Sequence, residues 1–297
     1  MRRRLELLKN GLKLPERNDL AQMDERVGIG LLGCGTMGGE VALAVSDRVV
    51  QNARVIAVFD EDPEAAGHLA EKLDPRPTTC RTVDELLAVQ DVSLVVECAA
   101  PAAIAAYGET VLSAGRSLFI LSSGALADTE LFDRLISLAA DNGCEIVIPS
   151  GALGGIDALR SVRDLLESVT LTSTKTPQAF SGAPGFAKWE DVEITEPTVL
   201  YEGPARDAVA LFPANVNVAA TLSIAGIGPK RTIVKVVADP ASPGNVHEIR
   251  ARGEFGEFTF KLVNQPHVRN PRTSHLAVLS AIETLRAYCD SGPSIGT

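Results

Sequence analysis

Residues 27–45 read VGIGLLGCGTMGGEVALAV and determine how the rest of the chain is interpreted. An apolar run is followed by a glycine cluster and then by a second apolar stretch with the spacing of a helix, which predicts a strand, a tight turn and a helix. Gly33, Gly35 and Gly38 fit the pattern G-x-G-x-x-G, and a β-branched strand over 53–60 ends in Asp60, 22 residues after Gly38. The full strand–turn–helix–strand–acid context makes this match far more specific than the glycines alone.

If a dinucleotide binds at this turn, each of the three glycines has a structural role. Gly33 permits the tight turn, Gly35 lets the backbone approach a pyrophosphate, and Gly38 lets helix and strand pack closely. Backbone N–H groups at the helix start, around Thr36 and Met37, would hold the phosphates. Asp60 would accept hydrogen bonds from the adenosine ribose. Because Glu61 and Asp62 would repel a 2′-phosphate, the sequence favours NAD over NADP as cofactor, with NADP as the alternative.

The strand and helix alternation continues to about residue 155. Helices are expected over 63–73, 83–88, 102–113 and 129–142, and strands over 92–98, 117–123 and 144–155. This order predicts an α/β fold, a Rossmann-type doubly wound parallel sheet. Ligands bind such sheets beyond the carboxyl ends of the strands. We therefore expect Ala99 and Ala100 after one strand, and Ser123 and Gly124 after the next, to contact the cofactor.

After residue 156 the regular alternation of apolar strands and helices ends, which predicts a second domain. A helix over 156–168, a strand over 169–176, a helix over 212–225 and three alternating strands within 232–263 indicate an α+β domain with a largely antiparallel sheet, open on one face. The last helix, 274–289, could return to the first domain. The expected division is an N-terminal extension (1–25), a dinucleotide-binding domain (26–156), a substrate and dimerisation domain (157–270) and a C-terminal helix (271–297).

The charge distribution argues against a nucleic acid as the binding partner. The 297 residues are 45% apolar and carry a net charge of −10, with 8 basic and 19 acidic residues in 26–157 but 14 of each in 158–297. This balance argues against nucleic-acid binding, which needs clustered basic residues to displace counterions. The acidic first domain would have to hold an anionic cofactor through backbone N–H groups rather than through lysine or arginine.

Cysteine usage and hydropathy point to a cytoplasmic protein. The five cysteines are an odd number, widely spaced and without a CxxC pair, so neither a disulfide framework nor a metal site is expected. No apolar run reaches the roughly 20 residues that span a bilayer. The basic start of the chain has no apolar core typical of a signal peptide. We therefore expect no membrane partner.

Among the titratable side chains, His247 is the best placed for proton transfer, because it lies at a turn-to-strand junction in the second domain. A purely structural histidine fits this position as well. His68 is typical of a solvated helix position, and His267 and His275 flank the motif NPRTS. Cys98 is a candidate thiolate nucleophile, but its apolar strand and the absence of a basic neighbour favour an inert buried thiol. Cys144 has the same surroundings.

Four ordered blocks outside the glycine motif carry a family resemblance: SGALGGIDAL (150–159), FPANVNVAATL (212–222), DP with NVHEI (239–240 and 245–249) and NPRTS (270–274). Together they resemble the L-aspartate dehydrogenase family over residues 26–288. The resemblance implies oxidative deamination of L-aspartate to iminoaspartate, then oxaloacetate and ammonia, in connection with NAD biosynthesis. It also implies that His247 is catalytic and that Ala152 and Asn217 contact the nicotinamide cofactor.

Both carboxylates of such a substrate need fixed donors. The candidates are Lys175, Lys188, Arg272, Thr273 and Ser274, each of which is by itself typical of a solvated surface group. Two alternatives stay open. One is a related reductase of another small acid, similar to homoserine dehydrogenase or dihydrodipicolinate reductase, and the other is a non-catalytic NAD-binding sensor. The open sheet face and the resemblance suggest a homodimer.

Overall fold

The computed structural model describes residues 26–212 and 216–290. Residues 26–147 form a six-stranded parallel sheet with the strand order β3-β2-β1-β4-β5-β6. Its strands are β1 (Val27–Leu32), β2 (Ala53–Phe59), β3 (Thr78–Cys80), β4 (Leu94–Glu97), β5 (Ser117–Ile120) and β6 (Ile146–Val147). The order reverses between β1 and β4, so the crevice for a ligand lies beyond the carboxyl ends of these two strands.

Five helices within residues 26–147 pack on this sheet: α1 (Thr36–Ser46), α2 (Pro63–Ala70), α3 (Val83–Ala88), α4 (Pro101–Ser113) and α5 (Thr129–Asp141). Local sequence explains their starts. Asp128 caps α5 by accepting hydrogen bonds from the backbone N–H groups of Glu130 and Leu131, and proline occupies the first turn of α2 and of α4. One apolar core lies on each face of the sheet. The Rossmann-type fold class is therefore confirmed.

Residues 156–264 build a second sheet of five strands in the order β11-β10-β7-β9-β8. The strands are β7 (Leu166–Lys175), β8 (Thr198–Pro204), β9 (Ile233–Ala238), β10 (Asn245–Gly253) and β11 (Gly256–Asn264), and the helices of this unit are α6 (Ile156–Ser161), α7 (Ala205–Leu211) and α8 (Val216–Ala225). Only the β7–β9 pair is parallel. The expected α+β unit with a largely antiparallel sheet is confirmed.

The remaining elements return toward the first sheet. A short hairpin, β12 (Pro266–His267) with β13 (Asn270–Ser274), leads into α9 (His275–Cys289). Ala281 and Leu285 of α9 are fully buried in the same core as β1 and α1. At the end of α9, the Asp290 carboxylate accepts a hydrogen bond of 2.7 Å from the backbone N–H of Asn52. The C-terminal helix is thus anchored to the first domain.

Two predicted elements were wrong in extent. The strand expected over 144–155 is only Ile146–Val147, because Pro149 interrupts the run and Gly151 and Gly155 have positive φ angles of 64° and 73°. The helix expected over 156–168 ends at Ser161. Its last three residues form the start of β7, where Ser168 pairs with Arg252 of β10, so tertiary pairing overrides the apolar helical spacing.

Other differences concern the middle of the second unit. The helix expected over 212–225 is described from Val216 onward, since 213–215 lie outside the described residues, as does the expected extension 1–25. The strand β8 and the helix α7 were not predicted from sequence, and both pack on the core of the second sheet. None of the described helices is both long and apolar enough to cross a membrane.

Candidate active site between the two sheets

A cleft with a volume of about 380 Å³ borders both sheets. The first domain lines this cleft with residues at the glycine turn and after β4 and β5. The second domain lines it with the start of α8, the end of β7 and the start of β10, and the junction between β13 and α9 completes the lining. Of the residues expected from sequence, it brings together Gly35, Thr36, Met37, Ala99, Ser123, Ala152, Lys175, Asn217, His247 and Ser274.

The glycine turn has the geometry of a phosphate site. Gly33 has a φ of 98°, and a Cβ on Gly35 would meet no atom within 4 Å, so open space faces the backbone there. A Cβ on Gly38 would overlap the carbonyl oxygen of Gly33, which explains the close approach of α1 to β1. The N-cap Gly35 supplies no side-chain acceptor, and the first turn of α1 has no acidic residue. The first N–H groups of α1 are therefore available to an anion.

A second, smaller cleft of about 270 Å³ adjoins this turn and is lined by Gly33, Asp60, Ala100 and Tyr107, among others. The Asp60 carboxylate accepts hydrogen bonds from the backbone N–H of Cys34 at 2.6 Å and of Asp62 at 2.9 Å. Phe59 and Tyr107 stack edge to face beside it, with 6.2 Å between ring centroids. An acid beside an aromatic wall fits an adenosine group.

The loop after β5 is joined to the second domain by hydrogen bonds around Asn217. The Asn217 side-chain oxygen accepts a hydrogen bond of 2.9 Å from the backbone N–H of Gly124, and the Ser123 hydroxyl lies 2.8 Å from the Thr221 hydroxyl. A further hydrogen bond links the loop after β6 to the second domain: the Asn264 amide donates to the carbonyl of Ala152 at 3.1 Å. These contacts fix the cleft walls contributed by Asn217 and Ala152.

His247 is 3% exposed and pairs directly with Ser173 across β10 and β7. The Ser173 hydroxyl lies 3.0 Å from His247 Nδ1, and among the described residues no hydrogen bond involves the other ring nitrogen, Nε2. Burial, reinforced by the charge of Lys175, lowers the pKa of His247 to about 4. The imidazole is therefore neutral near pH 7. Sequence reasoning missed Ser173, because only the strand register places it opposite His247.

Lys175 follows two residues after Ser173 on the same face of β7. It is 5% exposed, and none of the ion pairs among the described residues includes it. Burial lowers the pKa of its ammonium to about 8. The expectation of a solvated lysine was thus wrong for Lys175. A buried cation that lines a cleft without an anionic neighbour is suited to a carboxylate ligand.

The β12–β13 hairpin also contributes to the cleft, through Asn270 and Ser274. Ser274 is 7% exposed and lines the cleft, and within the described part of the chain its hydroxyl has no hydrogen-bond partner. Glu40 of α1 ties the hairpin to the first domain by pairing with Arg269 and, at 3.3 Å, with His267 Nε2. The side chains of Arg272 and Thr273 lie outside the described residues.

The other candidates lie elsewhere or stay inert. Lys188 is exposed on the 3₁₀ turn Pro184–Trp189, and its ammonium lies over the Trp189 ring. His68 is exposed on α2. Burial raises the pKa of the Cys98 thiol well above its usual value and also raises the pKa of Cys144, so neither is prepared to act as a thiolate.

Comparisons with known proteins find relatives with the same two domains over nearly the whole chain. The family model described as aspartate dehydrogenase, C-terminal, matches residues 157–288, and the model described as homoserine dehydrogenase, NAD binding domain, matches residues 33–149. The chain is 44% identical to the L-aspartate dehydrogenase of Nitrosopumilus maritimus, with 91% of this chain and 99% of that one covered.

Two further relatives agree. The L-aspartate dehydrogenase of Methanosarcina barkeri is 45% identical, again over 91% of this chain and 99% of the other. The crystal structure of aspartate dehydrogenase from Thermotoga maritima superposes with a TM-score of 0.73 at 28% identity, covering 91% of this chain and all of that one. The similarity therefore extends through both domains and includes the cleft between them.

Proposed function

The chain belongs to the L-aspartate dehydrogenase family, and from this we propose how the residues of its cleft carry out the reaction. It is an oxidoreductase that uses a nicotinamide cofactor and acts on the CH–NH₂ group of L-aspartate. The observation that carries the proposal is the buried pair Lys175 and His247, which line the same cleft as the glycine turn. Formation of NADH from NAD⁺ with L-aspartate as the sole amino acid tests it.

The reaction removes a hydride from Cα of aspartate and a proton from its amine, which leaves the imine. Water then adds to the imine carbon, and loss of ammonia gives oxaloacetate. The bound nicotinamide supplies the hydride acceptor, and Cα must lie about 3–3.5 Å from it for transfer. The protein must therefore orient two carboxylates, exclude competing water and move protons at the nitrogen.

We assign the proton transfers to Nε2 of His247. A neutral imidazole can accept a proton, and its low pKa, about 4 without substrate, is set by burial and by Lys175. A substrate with two carboxylates would add negative charge beside the ring and raise that pKa toward the working pH. The Ser173 hydroxyl can donate to Nδ1 of the neutral ring and accept from Nδ1–H of the protonated ring. It thus supports both states that a general acid–base needs.

We assign substrate binding to Lys175 and Ser274. Lys175 offers a positive charge in a poorly solvated place, and Ser274 offers a buried hydroxyl without a partner in the described chain. An arriving carboxylate would satisfy both groups, and little solvent competes for them. Arg272 and Thr273, which precede Ser274 on β13, are proposed as further donors on the basis of sequence position alone.

For the cofactor, we propose that NAD is preferred over NADP. Asp60 lies at the adenosine end of the cleft, the exposed Glu61 and Asp62 follow it, and none of the described residues lining this part is basic. A 2′-phosphate would face carboxylates here without a cation to pair with. The phosphates of either cofactor would be held by the N–H groups of Thr36, Met37 and Gly38.

Asp60→Ala is expected to weaken NAD⁺ binding about tenfold, the size of a lost hydrogen bond to a charged group, and to weaken NADP⁺ binding less. The measurement is the Kd of each cofactor by titration calorimetry. Glu61→Ala is the matched control, because Glu61 is the exposed neighbour, and it should change NAD⁺ affinity little. An equal loss for both cofactors in Asp60→Ala would show that Asp60 only shapes the loop through Cys34.

We also propose that two copies of the chain pair through the outer face of the second sheet. The register aligns Val263, Val246, Thr174, Val237 and Val199 in one row across all five strands. Val263 and Val199, at the two edges of the sheet, are 50% and 44% exposed, whereas Val246 and Val237 between them are each 8% exposed. Exposed valines on one face of a sheet are suited to a twofold interface between two copies of the chain. Light scattering should therefore give the mass of two chains, and a single-chain mass would contradict this arrangement.

A further inference from the structure

Glu97, the last residue of β4, is a buried carboxylate that the reaction above does not use. Its side chain is 0% exposed. None of the ion pairs in the described parts of the chain includes it. A buried carboxylate without a cationic partner is costly, so its presence at the carboxyl edge of the sheet needs a physical reason.

The hydrogen bonds around Glu97 are those of an anion. One carboxylate oxygen accepts from the backbone N–H of Ala99 at 2.8 Å, and the other accepts from the backbone N–H of Ser122 at 2.9 Å. The Ser122 hydroxyl and the backbone N–H of Leu121 also donate hydrogen bonds to the Glu97 carboxylate. Burial raises the pKa of Glu97, while these donors oppose that rise. Several convergent donors are expected around a carboxylate that keeps its negative charge.

The charge lies directly behind one wall of the large cleft. The residues that follow Glu97 and those that donate to it line this cleft: Cys98, Ala99, Leu121 and Ser122. In the second domain the buried cation Lys175 lines the same cleft. The cleft is thus polarised, with a negative wall beneath the loops after β4 and β5 and a positive charge on β7.

We propose that Glu97 is a positioning residue whose charge makes the cleft bind the oxidised nicotinamide in preference to the reduced one. The inference rests on the proposed placement of the nicotinamide between these loops and His247. The nicotinamide ring is positively charged in NAD⁺ and neutral in NADH. A fixed anion behind the ring attracts only the charged form, and poor solvation lets the attraction act over several ångströms.

The test is the ratio of two dissociation constants, Kd for NAD⁺ divided by Kd for NADH, measured by calorimetry without substrate. In Glu97→Gln this ratio should rise about three- to tenfold over that of the unaltered enzyme, as expected for the loss of one buried charge near the ring. The readout is binding and not turnover. An equal weakening of both cofactors would overturn the proposal and leave Glu97 as a structural link between two loops.

Two further variants keep the test decisive. In Glu97→Gln the new amide faces backbone N–H groups and could impair folding, so Glu97→Met removes the charge without introducing a second donor, and the same rise in the ratio is expected. Glu64→Gln is the matched control: it removes an exposed carboxylate on α2, so the ratio should stay unchanged. If the unaltered enzyme binds both cofactors and oxidises aspartate while the ratio is insensitive to Glu97, only this inference fails.

Discussion

His247→Ala is expected to lower kcat for aspartate oxidation by about 10²–10⁴-fold, the usual contribution of a general acid–base. Without Nε2 the cleft loses the neutral imidazole that we propose takes the proton of the substrate amine. NADH affinity should change by no more than about twofold, since the proposed sites for the phosphates and the adenosine do not include His247. Steady-state kinetics and NADH fluorescence titration measure the two quantities.

The control for this substitution is His68→Ala, which removes an exposed imidazole on α2 and should leave kcat unchanged. Because His247 is buried against Ser173, the thermal stability of His247→Ala must be compared with that of the unaltered enzyme. A well-folded His247→Ala variant with undiminished kcat would remove His247 from the mechanism, whatever its effect on KM.

Lys175→Met is expected to raise KM for L-aspartate about 100-fold or more, because a substrate carboxylate would lose its charge partner in a poorly solvated site. The folded protein should not lose stability. A buried cation with no anionic partner in the described chain costs free energy, and methionine of similar length does not. A melting temperature equal to or above that of the unaltered enzyme, together with the higher KM, separates binding from folding. Lys188→Met, at an exposed lysine, is the matched control.

The pKa of Lys175, lowered to about 8, gives this assignment a pH signature. Below that pH the ammonium is charged and attracts a carboxylate, and above it the charge is lost. Succinate has two carboxylates but no amine, so its affinity for the NADH complex reports on the protein alone. It should fall progressively as pH rises above about 8, and in Lys175→Met it should be weak at every pH. A flat profile in the unaltered enzyme would exclude Lys175 as the carboxylate partner.

The cofactor half of the molecule could be predicted from local sequence because its signals are local. Glycines at fixed spacing, a preceding apolar run and Asp60 at the end of the next strand are all visible within 35 residues. Their roles follow from backbone geometry that few other residues permit, such as the φ of 98° at Gly33. The parallel sheet follows from the same alternation of apolar strands and helices.

The substrate half could be predicted only in part, because its decisive contacts are long-range. Lys175 looks like a surface lysine until β7 pairs with β9 and β10 and its side chain becomes buried. Ser173 meets His247 across 74 positions of sequence. Glu97 lies within an apolar run, and its partners on the loop after β5 are 25 residues away. None of these contacts leaves a periodic or compositional signal.

The length of β6, the last strand of the first sheet, also could not be predicted from the sequence. The run CEIVIPSGALGG has the composition of a buried strand, yet only two of its residues pair. The remainder turns through Gly151 and Gly155 to place Ala152 in the cleft. The stretch that sequence alone assigns to the sheet is thus one that leaves the sheet to build the site.

The central claim is that this cleft oxidises L-aspartate with NAD⁺. The most direct measurement is the formation of NADH by the purified enzyme with L-aspartate, L-glutamate and L-homoserine in separate reactions, with oxaloacetate and ammonia assayed as products. NADH, oxaloacetate and ammonia should appear in equal amounts with L-aspartate and be absent with the other two amino acids. NADH binding without turnover of L-aspartate, or turnover of L-homoserine in its place, would contradict the account.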